Sequence, residues 1–302
     1  MTPRKKRGRL NPLFDTTFKT IFSDKKLLVE FLNAILEPKI ISAEILSSEQ
    51  PVDNIQHKKS VLDLKVSTNN NEIINIEIQL NKHGYYVERF VYYWAKIYSQ
   101  QLDESQKYDK LVKTISIILV NFKMDLKDDN FHSRFEIYDK KRKKLLTEHF
   151  EMHTLEIPKF SKDNLKNALN RWMIFFNHSG EESLLKEVIK MDDNIKQAQK
   201  KLDSVYSDKH KMAQYEAELK AQREWEATLD YAVNEKLEEK VGKAVKEAVK
   251  EAVKETVEKE REKAREKAEE ERRTFINKLK DSGFSDEEIQ SKFGYNPKDY
   301  IK

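Results

Sequence analysis

The stretch "SVLDLKVSTNNNEIINIEIQL", Ser60 to Leu80, decides how the chain is read. Val61, Asp63 and Lys65 alternate with Leu62, Leu64 and Val66; further on, Asn75, Glu77 and Gln79 alternate with Ile74, Ile76, Ile78 and Leu80. Both runs have the two-residue period of a strand, and each has one apolar face and one face with an acid near its middle. Asn69-Asn70-Asn71 is turn chemistry, so the runs predict an antiparallel hairpin. Reflection about Asn70 sets Asp63 against Glu77.

Two carboxylates in cross-strand register repel, so the arrangement is unfavourable for a fold on its own account. An ordinary solvent-facing hairpin is one reading. The other is a divalent-cation site, because magnesium takes oxygen ligands, commonly one or two carboxylates with waters and substrate phosphate. Gln79, on the Glu77 face, has an amide that could orient a water or contact a phosphate oxygen.

Upstream of the hairpin, Phe18, Ile21, Phe22, Leu28, Phe31, Leu32, Ile35 and Leu36 recur at helical intervals until Pro38, with a break expected near Ser23-Asp24. KIISAEILSSEQ adds a strand before the hairpin. Downstream, VERFVYYWAKIYSQQL reads as a helix and TISIILVNF as a strand covered on both faces. SRFEIYD and HFEMHTLEIPKF add two strands about the basic turn Lys140 to Lys144, and a helix near Asn164 to Asn177 carries Trp172, Phe175 and Phe176. The fold class is α/β, a mixed sheet with helices packed on it and a long helical C-terminal region.

The 302 residues allow one or two domains at roughly 150 residues each. Four segments are expected: a basic flexible arm at 1–11, the sheet domain at 12–180 ending near Gly180, a charged helical region at 181–273 and a small two-helix element at 274–302. In the helical region Val245, Val249, Val253 and Val257 stand four apart, so the stripe advances about 40° per repeat and winds around the helix. Helical self-association and an isolated charged helix both fit this pattern. Ser285 and Glu288 form a capping-box pattern that starts a short helix at Asp286 to Phe293.

With no cysteine, disulfides and thiolate metal sites are excluded. No run of about 18 apolar residues suggests a membrane span, and the N-terminus lacks the apolar core of a secretory signal, so a cytoplasmic location is expected. Residues 1–180 carry 30 Lys+Arg against 23 Asp+Glu, and residues 181–302 carry 27 against 30. The basic front half is compatible with a phosphate-bearing partner. Arg4, Lys5, Lys6, Arg7 and Arg9 read either as a solvated tail or as a non-specific grip on nucleic-acid backbone. His149 and His153 are four apart but lie in a strand-like run without an HExxH glutamate, which argues against zinc. No phosphate-binding glycine loop or dinucleotide fingerprint is present.

Asp63, thirteen residues, then Glu77-Ile78-Gln79 resembles the D…(D/E)xK signature of PD-(D/E)XK nucleases, with Gln where Lys is usual. DTTFKTIF, FLNAIL, LDLKV, INIEIQL, ERFVYYWAKIYSQQL, ISIILVNF and HTLEIPKF in series resemble the recombination-promoting nuclease and transposase family of that superfamily, over about residues 12–180. The resemblance implies a PD-(D/E)XK core and a DNA endonuclease dependent on Mg2+ or Mn2+. Asp63, Glu77 and the Ile78 backbone carbonyl would hold the metal, and Gln79 would take the place of the lysine. An amide carries no charge and takes up no proton, which puts the rate in question. Asp15 and Lys19 match the family's opening motif and either assist the site or serve as a helix cap and an i,i+4 ion pair. Arg89 and Tyr93 share a helical face and either contact phosphate or belong to the core. The alternative function is a catalytically weak transposase-like DNA-binding or assembly protein whose helical tail mediates homo-oligomerisation.

Overall fold

A computed structural model of the chain describes residues 8–37, 39–46, 64–160 and 164–299. In the first of two units, Met1–Gln222, helices α1 (Asp15–Phe22) and α2 (Lys25–Ile35) precede strands β1 (Ala43–Leu46), β2 (Leu64–Thr68) and β3 (Ile73–Gln79). Helix α3 (Tyr86–Ser99) leads to β4 (Thr114–Val120), followed by β5 (His132–Phe135), a small hairpin of β6 (Tyr138–Asp139) and β7 (Lys144–Leu145), and β8 (Phe150–Glu156). The large sheet has the order β1-β2-β3-β4-β8-β5. It is mixed: β1, β2 and β3 are antiparallel, β3, β4 and β8 are parallel, and β5 returns antiparallel to β8. The parallel step from β3 to β4 needs a crossover, which α3 provides.

The hairpin register is the one expected from sequence. Leu64 pairs with Ile76, Lys65 with Asn75, Val66 with Ile74 and Ser67 with Ile73, each pair reflected about position 70. Asp63 lies outside the described residues. Asn71 takes the left-handed conformation at φ 56, which asparagine tolerates, and the Asn71 N–H donates to Thr68 O at 3.1 Å. Asn69 Oδ1 accepts from the N–H groups of Ile41 and Ser42, so the same turn also anchors the approach to β1.

Ile74 and Ile76 of β3, Leu64 and Val66 of β2, and Ile115, Ile117 and Leu119 of β4 face the main core. Helices α1 and α2 fill that face with Phe18, Ile21, Phe22, Leu28 and Phe31, and the helices break where expected, at the N-cap Asp24. Trp172 and Phe176 of α4 (Ala168–Phe176) pack against Phe22 and Phe31 at ring distances of 5.4 to 6.3 Å. Across the sheet, Ile118, Val120 and Met152 pack against Tyr86 and Phe90 of α3.

The expected boundary at Gly180 does not hold. Helices α5 (Glu182–Met191) and α6 (Asp193–Ser204) bury Leu185, Val188, Ile195, Ala198 and Leu202 in the main core, and the start of α7 (Lys209–Asp281) adds Tyr215. Their apolar stripe is narrow, so the Lys- and Glu-rich composition concealed it. Asp192 separates α5 from α6 by capping the Asn194 and Ile195 N–H groups while pairing with Arg171. The N-terminus of α1 is capped from a distance: Glu218 of α7 accepts from the Thr16 N–H at 3.1 Å and from its hydroxyl at 2.5 Å, whereas the local N-cap, Phe14, offers no side-chain acceptor.

Arg9 is likewise not part of a free arm. Its guanidinium donates to Phe175 O at 2.5 Å and to Gln199 at 3.3 Å and lies 5.0 Å from the Phe175 ring. Burial lowers its pKa to about 10 against the opposing charge of Asp203. Arg4, Lys5, Lys6 and Arg7 lie outside the described residues.

At the β5–β8 edge a polar chain crosses the sheet. His132 Nε2 meets His153 Nδ1 at 2.8 Å, His153 Nε2 meets Glu151 Oε1 at 2.6 Å, and Glu151 also pairs with Lys113 at 2.6 Å. His149 instead bonds the Tyr98 hydroxyl of α3, so the two histidines serve separate partners.

The second unit, Arg223–Lys302, contains the rest of α7, where Val245, Val249 and Val253 are each 56% exposed. Helix α7 continues to Asp281, absorbing the first of the two small helices expected at 274–302. After Gly283 the capping box of Ser285 and Glu288 opens α8 (Asp286–Phe293), and Ile276 and Ile289 are fully buried. Phe275 meets Phe293 edge-on at 5.9 Å.

Two measurements check this fold. Leu202→Ala should cost about 2–5 kcal/mol in urea unfolding, as a core truncation does, whereas exposed Val249→Ala should stay within about 0.5 kcal/mol; equal effects would return α6 to the solvated tail. For pH, burial opposes ionisation of Glu151, but the hydrogen bonds from His153 and Lys113 outweigh it and hold its pKa at about 2, below the usual 4.5. Burial holds His132 at about 4, below 6.5. From pH 6.5 to 4 the unfolded chain binds a His132 proton that the folded chain refuses, and from 4.5 to 2 the same is true of Glu151. Stability should therefore fall throughout acidification from pH 6.5, and His132→Asn should flatten the upper part of the fall in urea midpoints.

Candidate functional site

The faces of β3 are set by its ladder. Ile74 and Ile76 point into the main core, so Asn75, Glu77 and Gln79 point the other way, where they pair in register with Ser116, Ile118 and Val120 of β4. That is the face covered by α3. Both sides of the strand are shielded: Asn75 is 1% exposed and Glu77 is 4% exposed. This departs from the solvent-facing hairpin that alternation alone allowed, because alternation identifies two faces and does not say that a helix covers the polar one.

Within this site Gln79 Nε2 donates to Glu77 Oε1 at 2.6 Å. The amide thus fixes the orientation of the carboxylate two residues before it, a contact that the shared strand face makes available. Lys65 of β2 lies directly opposite Asn75 on the same face. It is half-buried, and burial pulls its pKa below the ordinary lysine value. The side-chain oxygen and nitrogen of Asn75 have no hydrogen-bond partner among the described residues, and neither do the hydroxyls of Ser116 and Thr154.

Helix α3 supplies the roof. One of its flanks is tied toward β8: Trp94 Nε1 donates to Thr114 O at 2.8 Å, the Trp94 ring meets Phe150 at 4.6 Å, and Tyr98 bonds His149. Since β3 lies on the other side of β4 from β8, the opposite flank is turned toward β3. That flank carries Arg89, Tyr93 and Lys96 at spacings of four and three. The Arg89 guanidinium lies 5.8 Å from the Tyr93 ring, and both residues are half-buried. His83, at the approach to α3, has its pKa lowered by burial and by the charge of Arg89.

Asp15 and Lys19 are elsewhere. They form an i,i+4 ion pair of 2.7 Å on α1, and Asp15 lines a surface pocket with Ile78, Leu80, Asn81, Glu218 and Gln222. This is the Ile78 and Leu80 face of the strand, across it from Glu77 and Gln79. Asp15 is the first residue of α1 and not its cap, a role that Glu218 fills. Burial pushes the Glu218 carboxyl pKa up, with the nearby Asp15 charge adding to the effect. Sequence reasoning missed Glu218 because 202 residues separate it from Thr16. Lys65 stands two residues after Asp63 and so shares its strand face.

The residues suit a hard cation to the extent that they are described. Their donors are oxygens, and no group of three or more His, Cys, Asp or Glu gathers among the described residues. Carboxylate oxygens such as those of Glu77 are the donors that Mg2+ takes, commonly one or two with waters.

Among the described residues no helix is long and apolar enough to cross a membrane. Neither the curated proteins nor the solved structures contain a match to the chain. A family model does match, that of the PD-(D/E)XK nuclease family transposases, over residues 12–232. The matched span runs past Gly180 through α5, α6 and the first turns of α7, as the packing of the core does. With most of its length matched and a mixed sheet carrying Glu77-Ile78-Gln79 on its third strand, the chain belongs to the PD-(D/E)XK nuclease family transposases.

Proposed function

We propose that the protein is a metal-dependent DNA endonuclease that hydrolyses phosphodiester bonds. The observation that carries this reading is the buried Glu77 carboxylate, held by Gln79 on a face shared with Lys65, the side of the sheet on which α3 packs. Glu77 is 4% exposed, and desolvating a carboxylate costs several kcal/mol unless it is compensated. The described β2–β3 ladder ends at Leu64 and Ile76, one residue short of Asp63, and the proposed pairing is its continuation to Asp63 and Glu77.

Asp63, Glu77 and the Ile78 carbonyl would hold Mg2+ or Mn2+. When bound, such an ion supplies an activated water and neutralises charge on the phosphate. The chain's own groups do the rest. Gln79 keeps the Glu77 oxygens in one orientation; Arg89 and Tyr93 offer a cation and an aromatic face to the DNA backbone; Arg4, Lys5, Lys6 and Arg7 add charge at the N-terminus. Asp15 and Lys19 act from the other side of β3, through the position of α1. The excess of seven cations in residues 1–180 favours a polyanionic substrate.

A second reading has its own observation. The exposed valines of α7 support self-association through the C-terminal helix, so assembly on DNA is an additional role for the tail.

Purified protein with supercoiled plasmid and Mg2+ is expected to produce nicked and linear DNA, and a chelator should abolish this. Asp63→Ala and Glu77→Gln should each lower the rate at least about 100-fold, the scale of losing an electrostatic catalytic group. Cleavage by both variants at the wild-type rate would exclude the site.

A further inference from the structure

The Gln79 position leaves an electrostatic deficit. A scissile phosphodiester carries a negative charge that grows on its oxygens in the transition state, and a neutral amide offers it only a dipole. Moreover, the Gln79 N–H is already engaged with Glu77 Oε1. If this site cleaves DNA, a cation from elsewhere in the chain should face it.

Lys65 meets the geometric conditions. It lies on β2 opposite Asn75, on the face to which Glu77 and Gln79 also point. Glu77 is the diagonal neighbour of Lys65 across the ladder, about 7–8 Å away between backbones, within reach of a long side chain. The ammonium has no acidic partner among the described residues, although the side chain is half-buried. A lysine withdrawn from water without a counter-ion is unfavourable in the free protein and becomes favourable beside an anion. Arg89 is less suited to the role, because its guanidinium is stacked on Tyr93 on the helix and not on the sheet beside Glu77.

We propose that Lys65 is a catalytic residue that takes the place of the lysine missing at Gln79, binding a non-bridging oxygen of the scissile phosphodiester. This rests on the endonuclease reading above. In the reaction, a water oxygen bonds to phosphorus and one P–O ester bond breaks. One water proton goes to the leaving oxygen and the other to solvent, giving a phosphate monoester and a free hydroxyl. Lys65 stays protonated throughout and contributes charge only.

The test is steady-state cleavage of a short duplex by wild type, Lys65→Met, Lys65→Arg and the double variant Lys65→Met with Gln79→Lys. Lys65→Met should lower kcat ~100-fold while KM changes less than about threefold, because the charge matters most in the transition state. Lys65→Arg should remain within about tenfold of wild type. The double variant should regain at least about tenfold over Lys65→Met, since the cation returns on the neighbouring strand. Rescue of this kind is not expected from a lysine that merely supports the sheet. Thermal melting accompanies each variant, and Lys65→Gln replaces the methionine if that substitution fails to fold. Wild-type kcat in the charge-removed variant, with Asp63→Ala inactive, overturns the role of Lys65 and leaves the nuclease reading intact. A loss that is neither avoided in Lys65→Arg nor rescued by adding Gln79→Lys also overturns the role. Failure of wild type to cleave overturns both.

Discussion

A carboxylate held in a strand that is covered on both faces is the constraint to which the rest of the first unit answers. Glu77 cannot be brought into register unless β3 is fixed from both sides, and the ladder does this with β2 antiparallel on one edge and β4 parallel on the other. The even-numbered side chains Ile74 and Ile76 secure the strand to the core beneath α1, α2 and α4. With that face committed to packing, polar chemistry has only the odd-numbered face available, and a one-residue slip of register would exchange the two. Burial of the isoleucines therefore enforces the orientation of Glu77 and Gln79.

The same constraint explains the division of α3. A helix over the odd face must pack on β4, or the sheet loses its second apolar layer. Tyr86, Phe90 and Ile97 pack on the sheet, Trp94 and Tyr98 tie one flank toward β8, and the remaining flank is left to Arg89, Tyr93 and Lys96. Helical geometry allows this because residues three and four apart form distinct ridges.

The hairpin was legible because register is encoded locally, by a two-residue period and a turn of known chemistry; the pairs Lys65–Asn75 and Val66–Ile74 follow from position alone. The helix break at Asp24 and the start of α8 at Asp286 were legible for the same reason, since caps are short-range signals. The extent of the first unit was not. Ile195, Ala198 and Leu202 are separated by strongly charged residues, and their burial depends on what α1, α2 and α4 leave uncovered. Arg9 and Glu218 misled for a related reason. A cation in a basic run and an acid in a charged helix resemble solvated residues until their partners, Phe175 and Thr16, arrive from more than 160 residues away.

One feature of the site has a cost that packing does not offset. Asn75 of β3 and Ser116 of β4 are register partners, and Thr154 of β8, the partner of Ile118, lies diagonal to Ser116; each is 1% exposed and without a side-chain partner among the described residues. A buried polar group left unsatisfied costs about 1–3 kcal/mol. Sheet positions of this kind are ordinarily filled by valine or isoleucine, as Ile118 and Val120 fill theirs in the same row. A sequence selected for stability alone would have continued that apolar layer beneath α3. Instead the polar groups begin beside Glu77 and extend across the sheet, in the place where Lys65 also has no counter-ion among the described residues. On β3 and β4 the polar positions Asn75, Glu77 and Ser116 gather on the α3 face, while Ile74, Ile76, Ile115 and Ile117 fill the opposite face of the same two strands. That grouping on two adjacent strands is the physical ground for the site proposed on the α3 face of β2 and β3.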